Sequence, residues 1–425
     1  MDTAALKAAV EAAWKERAPK PFDPERPVVK LHEATYDAEE IWEFLQCLLG
    51  TEVTMGPKVK RFEQEFARRF GHAHAVMVNS GSSANLLAVA GLANAATAGR
   101  LKPGDEVIVP ALCWSTTVWP LIQHQLVPVI VDADPRTLNI DPSEVQKAIG
   151  PKTRALMPVP IYGNPCDMDA LVAIAKKHDL TLLEDSCESL GATYKGRHVG
   201  SFGRVGTFSF YYSHHITTLE GGMVVTDDFE LAETMRALRA HGWVREMDQP
   251  KKYLDAYADI HPKFLFVNIG YNLRATEPQG AMGSLQLRKL DRFVKIRAEN
   301  AEHWLRVLAP LGDLFEFVTV TPGASSSWFG FPMHVKPGAP FTSRELMSHL
   351  QARGIEMRPL NAGNIAAQPA IRSYPHRVVG DLAQVNRIWK NGFTFGNHQH
   401  VDPAARDYIT ATLRAFVAER QGRKP

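Results

Sequence analysis

Apolar residues recur at three- and four-residue spacing from Glu39 to Leu49 and from Lys58 to Phe70, which predicts two amphipathic helices joined through the turn Thr54-Met55-Gly56-Pro57. Beyond Phe70 the pattern changes. Short apolar runs at Ala75 to Val78, Glu106 to Pro110, Leu126 to Asp132, Thr153 to Val159 and Leu180 to Leu183 alternate with helical stretches, and each reads as a buried strand. The run TFSFYYSHHITTLEGGMVV, Thr207 to Val225, adds an aromatic strand-like segment, a Glu220-Gly221-Gly222 turn and a further apolar strand. Such alternation over residues 75–230 implies an α/β fold with a mostly parallel central sheet wrapped on both faces. From about Leu290 the pattern becomes a long helix (Leu290 to Leu308), the segment SWFGFPM, a helix Ser343 to Ala352, a strand Glu356 to Pro359 and a closing helix Pro403 to Glu419. The expected organisation is an N-terminal helix and connector (1–30), a large domain (31–290) and a smaller α+β C-terminal domain (291–425). Residues 246–259 and 323–327 are the candidate flexible segments.

In parallel sheets ligands gather beyond the carboxyl ends of the strands. Four features fall there: Ser80-Gly81-Ser82-Ser83, Trp114, Asp185 and His214. A strand that ends in Ser-Gly-Ser-Ser and opens a helix aims free N–H groups and a helix dipole at one spot, which suits an anion; a serine that merely caps the helix is the plain alternative. Trp114 can stack on a planar ligand or lie in the core.

Composition narrows the class of protein. The 48 basic and 46 acidic side chains nearly cancel, which gives no reason to expect nucleic acid or an anionic membrane as partner. No stretch approaches the ~18 to 20 apolar residues that span a bilayer, and the N-terminal MDTAALKAAVEAAWKERAPKP reads as an amphipathic helix, not a signal peptide, so a cytoplasmic protein is expected. Four scattered cysteines, Cys47, Cys113, Cys166 and Cys187, form no CxxC pair, which argues against a disulfide framework or a local zinc site.

The ordered runs SGSSAN, CWSTT, EDSCESLGATYKG, SFYYSHHITTLEGG and GYNLRATEPQGAMG resemble the DegT/DnrJ/EryC1/StrS sugar aminotransferase family over nearly the whole chain. The resemblance implies the fold type I (aspartate aminotransferase-like) architecture, pyridoxal or pyridoxamine phosphate as cofactor, and a homodimer with shared active sites. It implies that Gly81, Ser82 and Ser209 hold the cofactor phosphate, that Trp114 stacks on the ring and that Asp185 pairs with the ring nitrogen. Glu188 stands where many members have Gln, near the ring hydroxyl; Asn272 reaches the phosphate of the partner subunit's cofactor, with Arg274 helping there or with substrate.

One position departs from the aminotransferases. Where they carry the lysine that binds the cofactor covalently, this chain has His214, and no lysine occurs from Gly196 to Pro250. Imidazole cannot hold the cofactor that way, but near neutrality it can accept and return a proton. With the runs GIEMRP and NAGN, this looks like the family's 3-dehydratase branch, which removes the 3-hydroxyl of nucleotide-linked 4-keto-6-deoxyhexoses. One kind in that branch carries a [2Fe-2S] cluster on four cysteines, whereas this chain has none after Cys187. The expectation is therefore the cluster-free kind, similar to the dehydratases of GDP-4-keto-6-deoxymannose, which restores pyridoxamine phosphate with L-glutamate, with His214 as base and no metal, in deoxysugar biosynthesis; the nucleotide, GDP, CDP or another, and the hexose stay open. His215, Arg274, Trp328, Arg358 and Asn361 are the candidate substrate residues. An aminotransferase, or a non-catalytic binder of cofactor and sugar nucleotide, are the alternatives.

Overall fold

The structure is a computed structural model that describes residues 3–361 and 363–422. Helix α1 (Thr3–Arg17) precedes the extended connector, and α2 (Ala38–Leu49) opens on a capping box in which Asp37 and Glu40 each satisfy the other's backbone N–H. In α3 (Pro57–Phe70) Val59, Phe62, Phe66 and Phe70 fall on one buried stripe, and Gly71 ends the helix at φ 74°.

The alternating region then runs β1 (His74–Val78), α4 (Gly81–Ala93), β2 (Glu106–Pro110), α5 (Ser115–Gln123), β3 (Val127–Val131), α6 (Pro142–Ala148), β4 (Thr153–Leu156), α7 (Met168–Lys177) and β5 (Thr181–Asp185). It continues with a small hairpin, β6 (Thr193–Tyr194) and β7 (Arg197–His198), followed by β8 (Val205–Ser209), β9 (Gly222–Thr226), α8 (Phe229–Arg239) and α9 (Lys251–Ala256). The remaining elements are α10 (Glu277–Leu308), β10 (Phe315–Phe317), β11 (Ala324–Ser325), β12 (Phe331–Val335), α11 (Ser343–Gln351), β13 (Met357–Pro359), β14 (Arg377–Val378), α12 (Ala383–Asn391), β15 (Gly392–Phe395) and α13 (Pro403–Arg420).

Eight strands form one mixed, mostly parallel sheet in the order β1-β9-β8-β5-β4-β2-β3-β14. Only β9 runs against its neighbours, so β1, β2, β5 and β8 all deliver their carboxyl ends to one edge. Their nearly unbroken burial explains the continuous apolar runs, since strands covered on both faces have no solvent side to mark with polar residues. A second, four-stranded antiparallel sheet, β10-β12-β15-β13, packs its core of Trp304, Phe331, Phe393 and Phe395 beside the first. The connector is tied to this sheet: Val29 pairs with Ile355, and the Lys30 carbonyl accepts from His398.

Three expectations need correction. The long helix begins at Glu277, thirteen residues before Leu290, because Gly280 and Gly283 are not breakers but contact points. A Cβ on Gly280 would lie 2.5 Å from the Val59 nitrogen, and one on Gly283 2.4 Å from the Phe62 ring, so bare backbone lets α10 lie against α3. Residues 246–259 contain α9, and residues 323–327 contain β11, which pairs with β6 and leads into buried Ser326 and Ser327. Ala362, inside the NAGN run, lies outside the described residues.

Candidate active site

At the carboxyl edge of the large sheet lies a cavity of about 320 Å³, of the size that small-molecule sites occupy. The turn from β1 into α4 forms its floor. Ser80 is the helix cap, its hydroxyl accepting from the Ser83 N–H at 3.0 Å, which leaves Gly81 and Ser82 on the cavity wall. The cap is thus Ser80 and not Ser82 or Ser83, and Ser82 is left facing the cavity. The Ser82 hydroxyl meets that of Thr116 at 2.9 Å, and Ser209 lines the same corner. A Cβ on Gly81 would sit 2.5 Å from that of Ser209, so only glycine leaves the cradle open. Trp114 is 53% exposed at the mouth of the cavity, which rules out the core reading.

Asp185 ends β5 below this cradle. Its Oδ2 accepts from Asn85 Nδ2 at 2.8 Å and Thr117 Oγ1 at 2.7 Å, and Asn85 Oδ1 accepts in turn from Thr207 at 2.6 Å. A buried carboxylate is costly unless it is hydrogen-bonded, and here three elements are tied together by meeting that need. Glu188, also lining the cavity, takes the Tyr162 N–H at 3.0 Å and the Asn361 side-chain amide at 2.8 Å. Burial pushes its carboxyl above the usual range.

His214 follows β8 and faces into the cavity. Its Nδ1 lies 2.8 Å from the Cys187 carbonyl, an acceptor only, so Nδ1 carries the proton and Nε2 keeps its lone pair. Burial lowers the imidazole to about 4, with Arg358 and Arg297 pushing the same way against the Cys187 carbonyl. The ring is thus a neutral base at physiological pH.

Of the residues picked from sequence, Gly81, Ser82, Trp114, Asp185, Glu188, Ser209, His214, Arg358 and Asn361 line this one cavity. Four do not. His215 is fully buried on the far side of the turn, its Nε2 donating to the Ser327 carbonyl at 3.0 Å. Trp328 does not line the cavity: its backbone is left-handed (φ 48°), and the indole packs in the C-terminal core against Phe331, while the neighbouring Phe329 lines the cavity. Asn272 is exposed beside the end of β1 and accepts from Arg274 at 3.1 Å, and neither reaches this protomer's cavity. Asn85, Thr117, Tyr211 and Phe329 were not picked. Asn85 sits one helical turn after Gly81, a spacing that could have flagged it; nothing in the sequence separates Phe329 from Trp328.

The sequence pattern of the DegT/DnrJ/EryC1/StrS aminotransferase family matches residues 34–414. The chain belongs to that family. It is 40% identical to the GDP-4-keto-6-deoxy-D-mannose 3-dehydratase of Yersinia pseudotuberculosis over 87% of this chain and 94% of that one. Among solved structures, a GDP-4-keto-6-deoxymannose 3-dehydratase with a trapped PLP-glutamate geminal diamine superposes with a TM-score of 0.84 at 38% identity, covering 91% of this chain and all of that one. A histidine-to-asparagine mutant of such an enzyme with bound GDP-perosamine gives the same TM-score at 37% identity and the same coverage. The mixed, mostly parallel fold is that of these enzymes, and no described helix is long and apolar enough to cross a membrane.

Buried histidines, His214 in the site and His334 and His398 outside it, are expected to make the protein acid-sensitive. An unfolded histidine takes up a proton near 6.5, whereas folded His214 and His334 do so only near 4 and His398 near 3. Between these values the unfolded chain binds more protons at these three histidines, so their contribution to unfolding free energy falls as pH drops from 6.5 towards 4, while buried Glu184, raised to about 7, contributes in the opposite sense. Urea unfolding across that range should show the decline, and His214→Asn should flatten it by one proton's worth, about 1.4 kcal/mol per pH unit. An unchanged slope in the variant would refute the buried neutral imidazole.

Proposed function

We propose that this chain is a pyridoxal/pyridoxamine phosphate-dependent 3-dehydratase that removes the C3 hydroxyl of a nucleotide-linked 4-keto-6-deoxyhexose, with L-glutamate as amine donor and a 4-keto-3,6-dideoxy sugar and ammonia as products. The observation that carries the reading is a neutral imidazole with a free Nε2, in the place of the aminotransferase lysine, within the same cavity as Asp185 and the Gly81-Ser82-Ser209 cradle.

The residues present fit the cofactor. The N–H groups opening α4, the hydroxyls of Ser82 and Ser209 and the space secured by Gly81 suit its phosphate. Trp114 offers a face to its ring, and Asp185 a carboxylate to the ring nitrogen, which keeps that nitrogen protonated. When bound, pyridoxamine phosphate supplies the amine that condenses with the sugar ketone and a ring that accepts electrons. Among the described residues no lysine lines the cavity, so they offer no amine there for covalent attachment.

His214 Nε2 accepts a proton and can return one to the departing C3 oxygen, which leaves as water. Arg358 lines the cavity with no carboxylate within ion-pair distance among the described residues, and its Nε lacks a partner, so it is the cation available to an anionic group of glutamate or of the sugar nucleotide. GDP-linked sugars are the first substrates to try, by analogy with the relatives.

Incubation with pyridoxal phosphate, glutamate and a panel of 4-keto-6-deoxy sugar nucleotides should yield a product lighter by one oxygen on mass spectrometry. His214→Asn should abolish that product while the protein still binds cofactor. Full turnover by the variant would sink the assignment.

The exposed Asn272 and the half-buried Arg274 beside it support a homodimer in which each chain completes the other's phosphate site. Mixing an inactive His214→Asn chain with an Asn272→Ala chain should then restore activity, because one site of each mixed dimer has both native residues. No recovery on mixing, with exchange verified, would contradict shared sites.

A further inference from the structure

The long helix α10 carries a buried guanidinium that the proposed chemistry does not use. Arg297 is 2% exposed, and no carboxylate lies within ion-pair distance of it among the described residues. Buried cations are usually paired. This one instead spends Nη1 on carbonyls: Phe329 at 3.0 Å, Trp328 at 3.4 Å and Asn397. Burial lowers it only to about 9, so it is charged at neutral pH.

The segment it grips is held at every peptide. Ser327 N–H donates to the Gly163 carbonyl and Phe329 N–H to that of Tyr162, each at 3.0 Å, while the Ser327 carbonyl accepts from His215. Trp328 between them is left-handed, a conformation that costs a non-glycine residue of order 1 kcal/mol or more and persists only when its surroundings enforce it. The result of that turn is the position of Phe329, whose ring centre lies 4.9 Å from that of His214 and 5.7 Å from that of His215.

We propose that Arg297 is a positioning residue for the base: by holding the Trp328 and Phe329 carbonyls it seats the Phe329 ring against His214 and keeps water and a resting proton off that imidazole. The inference rests on His214 being the base proposed above. The groups that face His214 are the Cys187 carbonyl and the carboxyls of Asp185 and Glu188 from the end of β5, Tyr211 and His215 on its own segment, Arg358 from β13 and Arg297 from α10. The acceptor carbonyl favours the protonated ring; the two guanidiniums and the loss of water oppose it. A proton taken up by Nε2 is therefore weakly held. It passes readily to a departing hydroxyl, which accepts it with the electron pair of the broken C3–O bond and leaves as water, and His214 returns to its neutral form.

The test reads the imidazole itself. Protein with isotope-labelled histidine is titrated by NMR without cofactor, with His214→Asn identifying the His214 signal. The wild-type midpoint should lie well below the ordinary 6.5, and Arg297→Met should raise it by about one unit or more. Arg297→Gln serves if the Met variant does not fold. Phe329→Leu, which leaves the guanidinium in place, should also raise it. The acid limb of kcat/KM should move with each midpoint, an effect that a merely structural role would not produce. A wild-type midpoint at or above 6.5, a folded Arg297 variant with an unmoved midpoint, or an unmoved midpoint in Phe329→Leu overturns the proposal. The NMR midpoints do not depend on turnover, so failure of the dehydratase reading would be seen separately.

Discussion

The site hangs on one buried carboxylate. Asp185 has lost its water, and the bonds that compensate come from Asn85 on α4 and Thr117 on α5, while Thr207 of β8 holds Asn85 in place. The strand edge that gathers the ligand-facing residues is thus also the place where strands and helices are cross-linked by polar bonds that cannot be given up cheaply, since a stranded buried acceptor costs roughly 1–3 kcal/mol. The cradle at Gly81, the Trp114 face and the turn bearing His214 are positioned by the same three connections.

Upon that frame the chain makes one chemical choice. A lysine at position 214 would offer an amine for a covalent bond; a histidine offers only proton transfer. The structure commits the ring further, because the Cys187 carbonyl fixes which nitrogen carries the hydrogen, and burial keeps the other bare. The C-terminal part of the chain closes the cavity from the opposite side with Arg358, Asn361 and Phe329, and Glu188 joins the halves by accepting from Tyr162 on one and Asn361 on the other.

Much of this was legible in the sequence because burial leaves a simple trace. Strands covered on both faces are continuous apolar runs, and residues that follow them in a parallel sheet share an edge, so Gly81, Trp114, Asp185 and His214 could be grouped before any contact was known. What escaped depends on backbone turns and on partners distant in the chain. The first thirteen residues of α10 carry Gly280 and Gly283, whose bare backbone is explained only when α3 is laid against them. Phe329 and not Trp328 lines the cavity, beside a single left-handed residue. Arg297 is one of many arginines in the sequence, and its burial with no carboxylate in ion-pair distance among the described residues singles it out.

The central claim is that His214 directs the amine of glutamate away from the sugar, so the most direct measurement follows the nitrogen. With nitrogen-labelled glutamate and a 4-keto-6-deoxy sugar nucleotide as substrates, the account predicts that the label leaves as free ammonia in step with 2-oxoglutarate and with loss of the C3 oxygen. Label retained in an amino sugar that keeps its C3 hydroxyl would contradict it.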